Sequence, residues 1–202
     1  MLLPRRSRWG AGAALGVLLA ALLAWAGAHG RPGPSLAFDL PVPPAGAAAP
    51  PRVGMLAPDF QLADVNTGRP IQLAALRGRP VWINFWATWC EACKLELPTM
   101  QQAYARYKSR GLALVGVDMR EEPDQVRAFT QAQGYDWLIG IDADMQVRNR
   151  YHTVGIPNHL FVDAHGVIQA ISLGPLAGNA LAADLAKILG DGAGGPGDRS
   201  LP

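Results

Sequence analysis

Cysteine is scarce in this chain, with only Cys90 and Cys93 among 202 residues. A small secreted scaffold held together by disulfides would carry more cysteines, spread along its length. A bond between two such close positions closes too short a loop to stabilise a domain much. Reactive chemistry therefore explains the pair better than a structural role, although a purely structural disulfide stays an alternative.

The chain also lacks an excess of charge of one sign. Its formal net charge is +2, and between residues 52 and 190 we count 13 Lys/Arg against 13 Asp/Glu. No basic face for nucleic acid is predicted. There is no second C-x-x-C, and the histidines show no ligand spacing, so we predict no metal site. These histidines are His29, His152, His159 and His165.

The N-terminus has the pattern of a membrane-targeting segment. Three arginines in the first eight residues precede Trp9–Ala28, a run without a charge. Twenty helical residues would span about 30 Å, the thickness of a bilayer core. Residues 1–30 are therefore predicted to be a single-pass signal-anchor, with the rest outside the cytoplasm. The alternative is a signal peptide cleaved near Ala26-Gly27-Ala28, which would release the protein as a secreted one.

Composition divides the remaining chain into three parts. Residues 31–51 hold seven prolines and predict an extended linker. Residues 191–202, with their Gly and Pro, predict a disordered tail. The segment between them, 52–190, is predicted to be the folded domain.

Hydrophobic patterning predicts alternating strands and helices within that domain, hence an α/β layer fold. Val81–Trp86 is a strand rich in β-branched and aromatic residues, and the segment after Cys90 is helical, with Leu97, Met100, Tyr104 and Tyr107 on one face. Phe60–Ala63 and Pro70–Leu73 predict a hairpin. The other predicted strands are Leu112–Val117, Trp137–Ile141, His159–Val162 and Val167–Ser172, and the other helices are Pro123–Gln133, Asp144–Tyr151 and one around Leu181–Leu189.

The candidate site is the C-x-x-C of Cys90 and Cys93, at the junction of the apolar strand and the amphipathic helix. Two intervening residues place both sulfurs on the first helical turn, close enough to bond. A helix N-terminus favours a thiolate over a thiol. We therefore predict that Cys90 is the nucleophile and that Cys93, one turn deeper, resolves the mixed disulfide.

Three segments resemble the TlpA/ResA-type family of membrane-anchored thioredoxin-like proteins, and the similarity covers about residues 53–190. The resemblance implies a thioredoxin fold with an N-terminal β-hairpin extension and a central strand–helix insertion near residues 122–141. It also implies a thiol–disulfide oxidoreductase with no cofactor besides the redox-active Cys90–Cys93 disulfide. The segments are GMLAPDFQL, VWINFWATWCEACKLELP and GIPNHLFVD.

Further site residues follow from this resemblance. It implies that Ile156–Pro157 is a cis peptide beside Cys90, the alternative being an ordinary trans turn proline. It also implies that Glu96, near Cys93 on the helix surface, tunes the cysteines and passes protons; a solvated glutamate is the alternative. The substrate is expected to contact Trp89, Glu91, Ala92 and Ile156, with Trp86 and Trp89 walling the site or merely packing.

Several positions qualify the resemblance. Asn84 stands where cytosolic thioredoxins carry a buried aspartate, and an amide cannot take up a proton, so Glu96 becomes the expected base for Cys93. Asn158-His159 replaces the small hydroxyl residues that commonly follow the cis proline, which weakens inference about the substrate. Asp118, Glu121 and Glu122 loosely match an acidic loop of cytochrome-maturation members, but we expect a solvated loop.

From the resemblance, we expect this protein to reduce exported proteins, such as apocytochrome c during cytochrome c maturation. A membrane electron donor is expected to reduce its own disulfide again after each reaction. The negative charge of Glu91 between the cysteines favours a reducing couple. A disulfide-forming oxidant is the second hypothesis, and a copper or oxidase-assembly factor with thiol ligands is the third. A peroxiredoxin is disfavoured because Ala87, not Thr or Ser, stands three residues before Cys90.

Overall fold

The structure is a computed structural model, and it describes residues 49–190. Strands and helices alternate through most of this range, as the sequence predicts, with bounds that differ by a residue or two. The strands are β1 Gln61–Ala63, β2 Pro70–Gln72, β3 Val81–Trp86, β4 Ala113–Asp118, β5 Leu138–Ile141, β6 Asn158–Val162 and β7 Ile168–Leu173. The α-helices are α1 Glu91–Tyr107, α2 Pro123–Ala132, α3 Gln146–Arg150 and α4 Gly178–Leu189.

Several domain predictions fall outside the described residues. The predicted signal-anchor (1–30), all but the last three residues of the predicted linker (31–51) and the predicted tail (191–202) all lie there, and they stay predictions. Between residues 49 and 190, no helix has the length and apolar character needed to span a bilayer.

A five-stranded sheet in the order β5-β4-β3-β6-β7 forms the centre of the domain. The middle strand β3 runs parallel to β4 and antiparallel to β6. Strand β5 pairs parallel with β4, and β7 pairs antiparallel with β6. This confirms the predicted α/β thioredoxin fold, and the insertion near 122–141 contributes helix α2 followed by the edge strand β5.

Strand β3 is buried along its whole length because both faces of the sheet are covered. Successive side chains of a strand point to opposite faces. Trp82 and Trp86 accordingly join one core with residues of α1, α2 and α4. Ile83 and Phe85 join a second core on the other face, which includes residues of the hairpin strand β2 and of α3. The continuous apolar run in β3 therefore serves two cores at once.

The predicted N-terminal hairpin is present as the antiparallel pair β1 and β2. Asp64 fixes its turn, since its Oδ1 accepts hydrogen bonds from the backbone N–H groups of Asn66 and Thr67 and from the Thr67 hydroxyl. Its Oδ2 accepts the backbone N–H of Ile139 at 3.2 Å. One buried carboxylate thus both shapes the turn and ties the hairpin to β5.

Candidate active site

The C-x-x-C lies where the central strand leads into the first long helix. Strand β3 ends at Trp86 and α1 begins at Glu91, so Cys90 is the residue that caps the helix. Its sulfur accepts the backbone N–H of Cys93 at 3.1 Å. A thiolate at Cys90 would accept the same N–H and would also lie at the positive end of the helix dipole.

The two sulfurs are bonded to each other and differ in access. The Cα atoms of Cys90 and Cys93 lie 5.2 Å apart across the disulfide, within the usual range for such bonds. Cys90 is 7% exposed and Cys93 is 0% exposed. A partner protein can therefore reach Cys90 but not Cys93, which is the order that the predicted roles require. The roles themselves stay a prediction.

Glu96 is a buried residue, so the alternative of a solvated glutamate is wrong. It follows Cys93 by three residues in α1 and is only 3% exposed. Its Oε2 accepts the backbone N–H of Leu176 at 3.0 Å. This contact comes from the segment before α4, 80 residues away in sequence, so local spacing could not have revealed it.

A second donor reaches Glu96 from strand β6. The His159 ring is completely buried, and its Nε2 lies 3.2 Å from Oε2 of Glu96. On the other side of the ring, Nε1–H of Trp82 donates to Nδ1 of His159 at 3.2 Å. Because an indole N–H can only donate, Nδ1 must be unprotonated, and the ring proton is assigned to Nε2. His159 is thus a neutral imidazole that donates to Glu96.

Asn84 occupies the buried position below α1, as the sequence comparison with cytosolic thioredoxins anticipated. It is 1% exposed, and its Nδ2 donates to the sulfur of Met100 at 3.4 Å. Its Oδ1 has no donor within residues 49–190. The amide cannot accept a proton from Cys93, so Glu96 is the carboxylate on this side of the site that could.

The Ile156–Pro157 peptide is cis, as the resemblance implied. The carbonyl of Pro157 accepts the backbone N–H of Gly174 at 2.8 Å, and proline has no N–H of its own. Pro157 therefore cannot donate a hydrogen bond to a substrate strand, and its carbonyl already has one donor. The neighbouring Ile156 is the residue expected to offer its backbone groups.

The residues predicted to contact substrate differ widely in exposure. Trp89 is 61% exposed, while Ala92 and Ile156 are half-buried against the core that contains both cysteines. Glu91 is exposed, and its carboxylate pairs with Lys94 at 2.8 Å. Trp86, by contrast, is 2% exposed and belongs to the core, so of the two tryptophans only Trp89 is available to a partner.

The loop after β4 is not the solvated loop that the sequence suggested. Asp118 is completely buried, because it pairs with Trp86 in the register of β3 and β4. The Glu121 carboxylate accepts both the backbone N–H and the hydroxyl of Thr88. Since Thr88 lies two residues before Cys90, this acidic segment holds the loop that carries the nucleophile. Only Glu122 is exposed as expected.

The two acids of this segment share their environment. Burial raises the pKa of the Asp118 carboxyl to about 8, and the neighbouring Glu121 carboxylate acts in the same direction. Oδ1 of Asp118 accepts the backbone N–H of Glu121 at 3.1 Å, whereas Oδ2 has no donor within the described residues. These surroundings favour the protonated acid over the carboxylate at Asp118.

Comparison with known proteins agrees with the fold and the cysteine geometry. The sequence pattern of the AhpC/TSA family matches residues 53–171. This chain belongs to the AhpC/TSA family. Thiol-disulfide oxidoreductase ResA of Bacillus subtilis is 35% identical over 123 residues, a match that covers 61% of this chain and 68% of ResA.

Two solved structures superpose on the same region. A thiol:disulfide interchange protein of the thioredoxin family from Chlorobium tepidum is 28% identical, with a TM-score of 0.61 over 70% of this chain and 100% of that one. StoA of Bacillus subtilis is 27% identical, with a TM-score of 0.54 over 63% of this chain and 96% of StoA. The AhpC/TSA member described here is accordingly a thioredoxin-like thiol–disulfide oxidoreductase.

The geometry of this AhpC/TSA site does not suit a copper ligand set that includes His159. Both ring nitrogens of His159 already have partners, Trp82 and Glu96. No group of three or more His, Cys, Asp or Glu side chains that could hold a metal occurs within residues 49–190. The prediction that the site works with its disulfide and no other cofactor is untested by these contacts.

Proposed function

We propose that this protein reduces disulfides of exported proteins outside the cytoplasm, with Cys90 attacking and Cys93 resolving. The observation that carries the proposal is the difference in access between the two sulfurs at the start of α1. The Cys90 thiolate attacks a substrate disulfide, one substrate sulfur leaves, and a Cys90–substrate mixed disulfide forms. Cys93, after losing its proton, attacks the Cys90 sulfur and releases the second substrate sulfur. Two electrons have then passed to the substrate, and the Cys90–Cys93 disulfide remains.

The charges around the site favour the reducing direction. The carboxylate of Glu96 lies one helical turn from Cys93 on the same buried face. A negative charge there disfavours a Cys93 thiolate and so favours the disulfide form, which makes the dithiol a better electron donor. The Glu91 charge adds less than the sequence suggested, because Lys94 pairs with it.

The substrate class follows from the predicted location and from the sequence resemblance. A signal-anchor over residues 1–30 would place the domain where exported proteins meet oxidising conditions. There the haem-binding cysteines of apocytochrome c need a reductant, and the resemblance to TlpA/ResA-type proteins favours that substrate. A membrane electron donor would return the disulfide to the dithiol after each turnover.

Reduction potential tests the direction of electron flow. We expect the full-length protein in detergent to have a potential below about −200 mV. A potential of about −120 mV would instead mean that the protein introduces disulfides into its partners.

Trapping tests the division of labour between the sulfurs. In a Cys93→Ser variant, the mixed disulfide on Cys90 should accumulate with exported proteins, because the resolving thiol is missing. Cys90→Ser is the matched control and should trap nothing. Accumulation in the control but not in Cys93→Ser would reverse the assigned roles.

A further inference from the structure

His159 and Glu96 form a buried polar pair beneath the active-site helix. The two side chains are 0% and 3% exposed, and they contact each other through Nε2 and Oε2 at 3.2 Å. Trp82 holds the far side of the imidazole. The pair links the strand that follows Pro157 to the helix that carries both cysteines, although the two residues are 63 positions apart in sequence.

The donors around Glu96 show which protonation state the pocket suits. Its Oε2 accepts two N–H groups, one from His159 and one from the backbone of Leu176. Hydrogen bonds of this kind stabilise a carboxylate over a carboxylic acid. Its Oε1 is buried and has no donor within the described residues. The donors on Oε2 therefore suit a carboxylate at Glu96, and Oε1 is the oxygen left to accept a proton.

The proposed exchange contains a step that needs such an acceptor. Cys93 has to lose a proton before it can attack the mixed disulfide, yet it is completely buried and has no direct access to solvent. Asn84 cannot take this proton. Glu96 stands one turn along the same helix face, where residues three apart are neighbours.

We infer that His159 is the positioning residue that makes Glu96 an effective proton acceptor for Cys93, an inference that rests on the proposed function. Trp82 fixes the tautomer of the neutral imidazole, so that Nε2–H donates to Oε2 of Glu96. This hydrogen bond favours the carboxylate and holds the side chain in an orientation that leaves Oε1 available. The proton moves from the Cys93 sulfur to Oε1, the Cys93–Cys90 bond forms, and the bond between Cys90 and the substrate sulfur breaks. The departing thiolate takes a proton from solvent.

Few other ionisable groups face this pair. From α1, Cys90 and Cys93 do. On β7, Ser172 pairs with His159 in the sheet register, and its hydroxyl donates to Asp184 of α4, which Lys187 also contacts. On β3, Asn84 and Trp82 carry no charge. A change in pH dependence that removing His159 causes in the resolving step alone can therefore be assigned to the Glu96–Cys93 transfer.

A two-step reaction separates attack from resolution. When the reduced full-length protein reacts with dithiobis(nitrobenzoate), Cys90 attacks the reagent and releases one nitrothiobenzoate. Cys93 then attacks the mixed disulfide on Cys90 and releases the second nitrothiobenzoate. We expect His159→Leu to slow the second release about tenfold, the effect of about one hydrogen bond to a charged group. The rate of the first release should change by less than about twofold, because the helix N-terminus, and not Glu96, stabilises the Cys90 thiolate. The second release should also rise more steeply with pH in the variant, since hydroxide then has to take the proton.

Three variants make this test specific. His159→Gln retains an N–H that can reach Glu96 and should recover part of the rate. His159→Leu should have no further effect in a Glu96→Gln background, because residues that act through one another are not additive. Leu160→Val, a buried change on the other face of β6, should leave both steps unchanged and so controls for loosened packing. If His159→Leu fails to fold, His159→Thr replaces it in the same comparison.

Several results would overturn the inference. Equal slowing of both releases, an undiminished second release, or full additivity with Glu96→Gln would each mean that His159 only supports the structure. Failure of the proposed function looks different: the unaltered protein would then release no second equivalent, or would trap no protein substrate through Cys90, whatever residue stands at 159.

Discussion

Two buried carboxyl groups flank the active site, and their surroundings favour different protonation states. Glu96, under α1, accepts N–H groups from His159 and Leu176 and suits a carboxylate. Asp118, at the end of β4, lies beside the Glu121 carboxyl, and burial and this neighbour raise its pKa to about 8. Both are almost completely removed from solvent. Burial alone therefore does not decide whether a carboxyl is charged, and the donors around it do.

The difference assigns different work to the two acids. A charged carboxylate beside Cys93 can accept a proton during the exchange, and its supporting donors keep it available between turnovers. A protonated Asp118 can instead donate to Glu121, which in turn holds the backbone and hydroxyl of Thr88. In the proposed reaction, Glu96 serves the chemistry, while Asp118 supports the loop that presents Cys90.

The largest effect is expected on the rate of resolution, when each of the two acids is replaced in turn by its amide. Glu96→Gln should slow resolution by Cys93 about a hundredfold, the low end of what a general base contributes. Asp118→Asn is the matched change and should leave the rate within about threefold. The measurement is the rate of the second nitrothiobenzoate release at neutral pH. Equal losses in both variants would mean that the two carboxyls do not differ as described.

Stability against pH should reveal the protonated state of Asp118. Its ordinary pKa of 3.8 rises to about 8 on folding, so the folded protein binds this proton more tightly than the unfolded chain does. Stability is then lost as pH rises from about 4 to about 8, and the loss is complete above that range. Asp118→Asn mimics the protonated acid and should avoid the loss.

Urea unfolding at pH 5 and pH 9 measures this effect. We expect the free energy of unfolding of the variant, relative to that of the unaltered protein, to rise by about 2 kcal/mol between pH 5 and pH 9. This is less than the full shift would give at 1.36 kcal/mol per pKa unit, because the partly exposed Glu121 can relax. A difference that is the same at both pH values would show that Asp118 is charged when folded.

The sequence predicted most of the fold because the local signals were strong. Val81–Trp86 is predicted and observed with the same bounds, since a run of β-branched and aromatic residues between polar segments fits little besides a buried strand. Cys90 as the start of the helix also follows from local sequence. The cis peptide at Ile156–Pro157 came from the family resemblance and could not have come from spacing.

The charges of the site could not be predicted in the same way. Glu96 looks like any polar residue of an amphipathic helix until β6 and the segment before α4 close over it. Asp118 looks like the first residue of an acidic loop until its register with Trp86 places it inside the sheet. Both outcomes depend on contacts between residues far apart in sequence. His159 gave the one available signal, as a departure from the residues commonly found after the cis proline.

Weakening the contact between Glu121 and the active-site loop should lower the stability of the protein moderately. Thr88→Val keeps the side-chain shape and removes the hydroxyl that donates to Glu121. The Glu121 carboxylate keeps the backbone N–H of Thr88 and a contact from Gln125, so the expected loss of stability is about 1 kcal/mol. Urea unfolding measures it, with Thr99→Val in α1 as a control of the same chemistry, because the Thr99 hydroxyl has no acidic partner within residues 49–190. A loss confined to the control would show that the hydroxyl of Thr88 does not support the loop.

The smallest effect is expected from breaking the exposed ion pair of Glu91 and Lys94 in the first turns of α1. Glu91 and Lys94 are in contact at 2.8 Å, but their side chains are 82% and 38% exposed. Solvent and salt screen such a pair, so Lys94→Gln should change stability by only about 0.3 kcal/mol. The same variant leaves the Glu91 charge unpaired near Cys90, which should slow attack on dithiobis(nitrobenzoate), itself an anion, by about twofold at low salt and not at high salt. A large loss of stability would mean that this exposed ion pair matters as much as the buried Glu96 and Asp118. The difference between buried and exposed charges would then not explain the behaviour of the site.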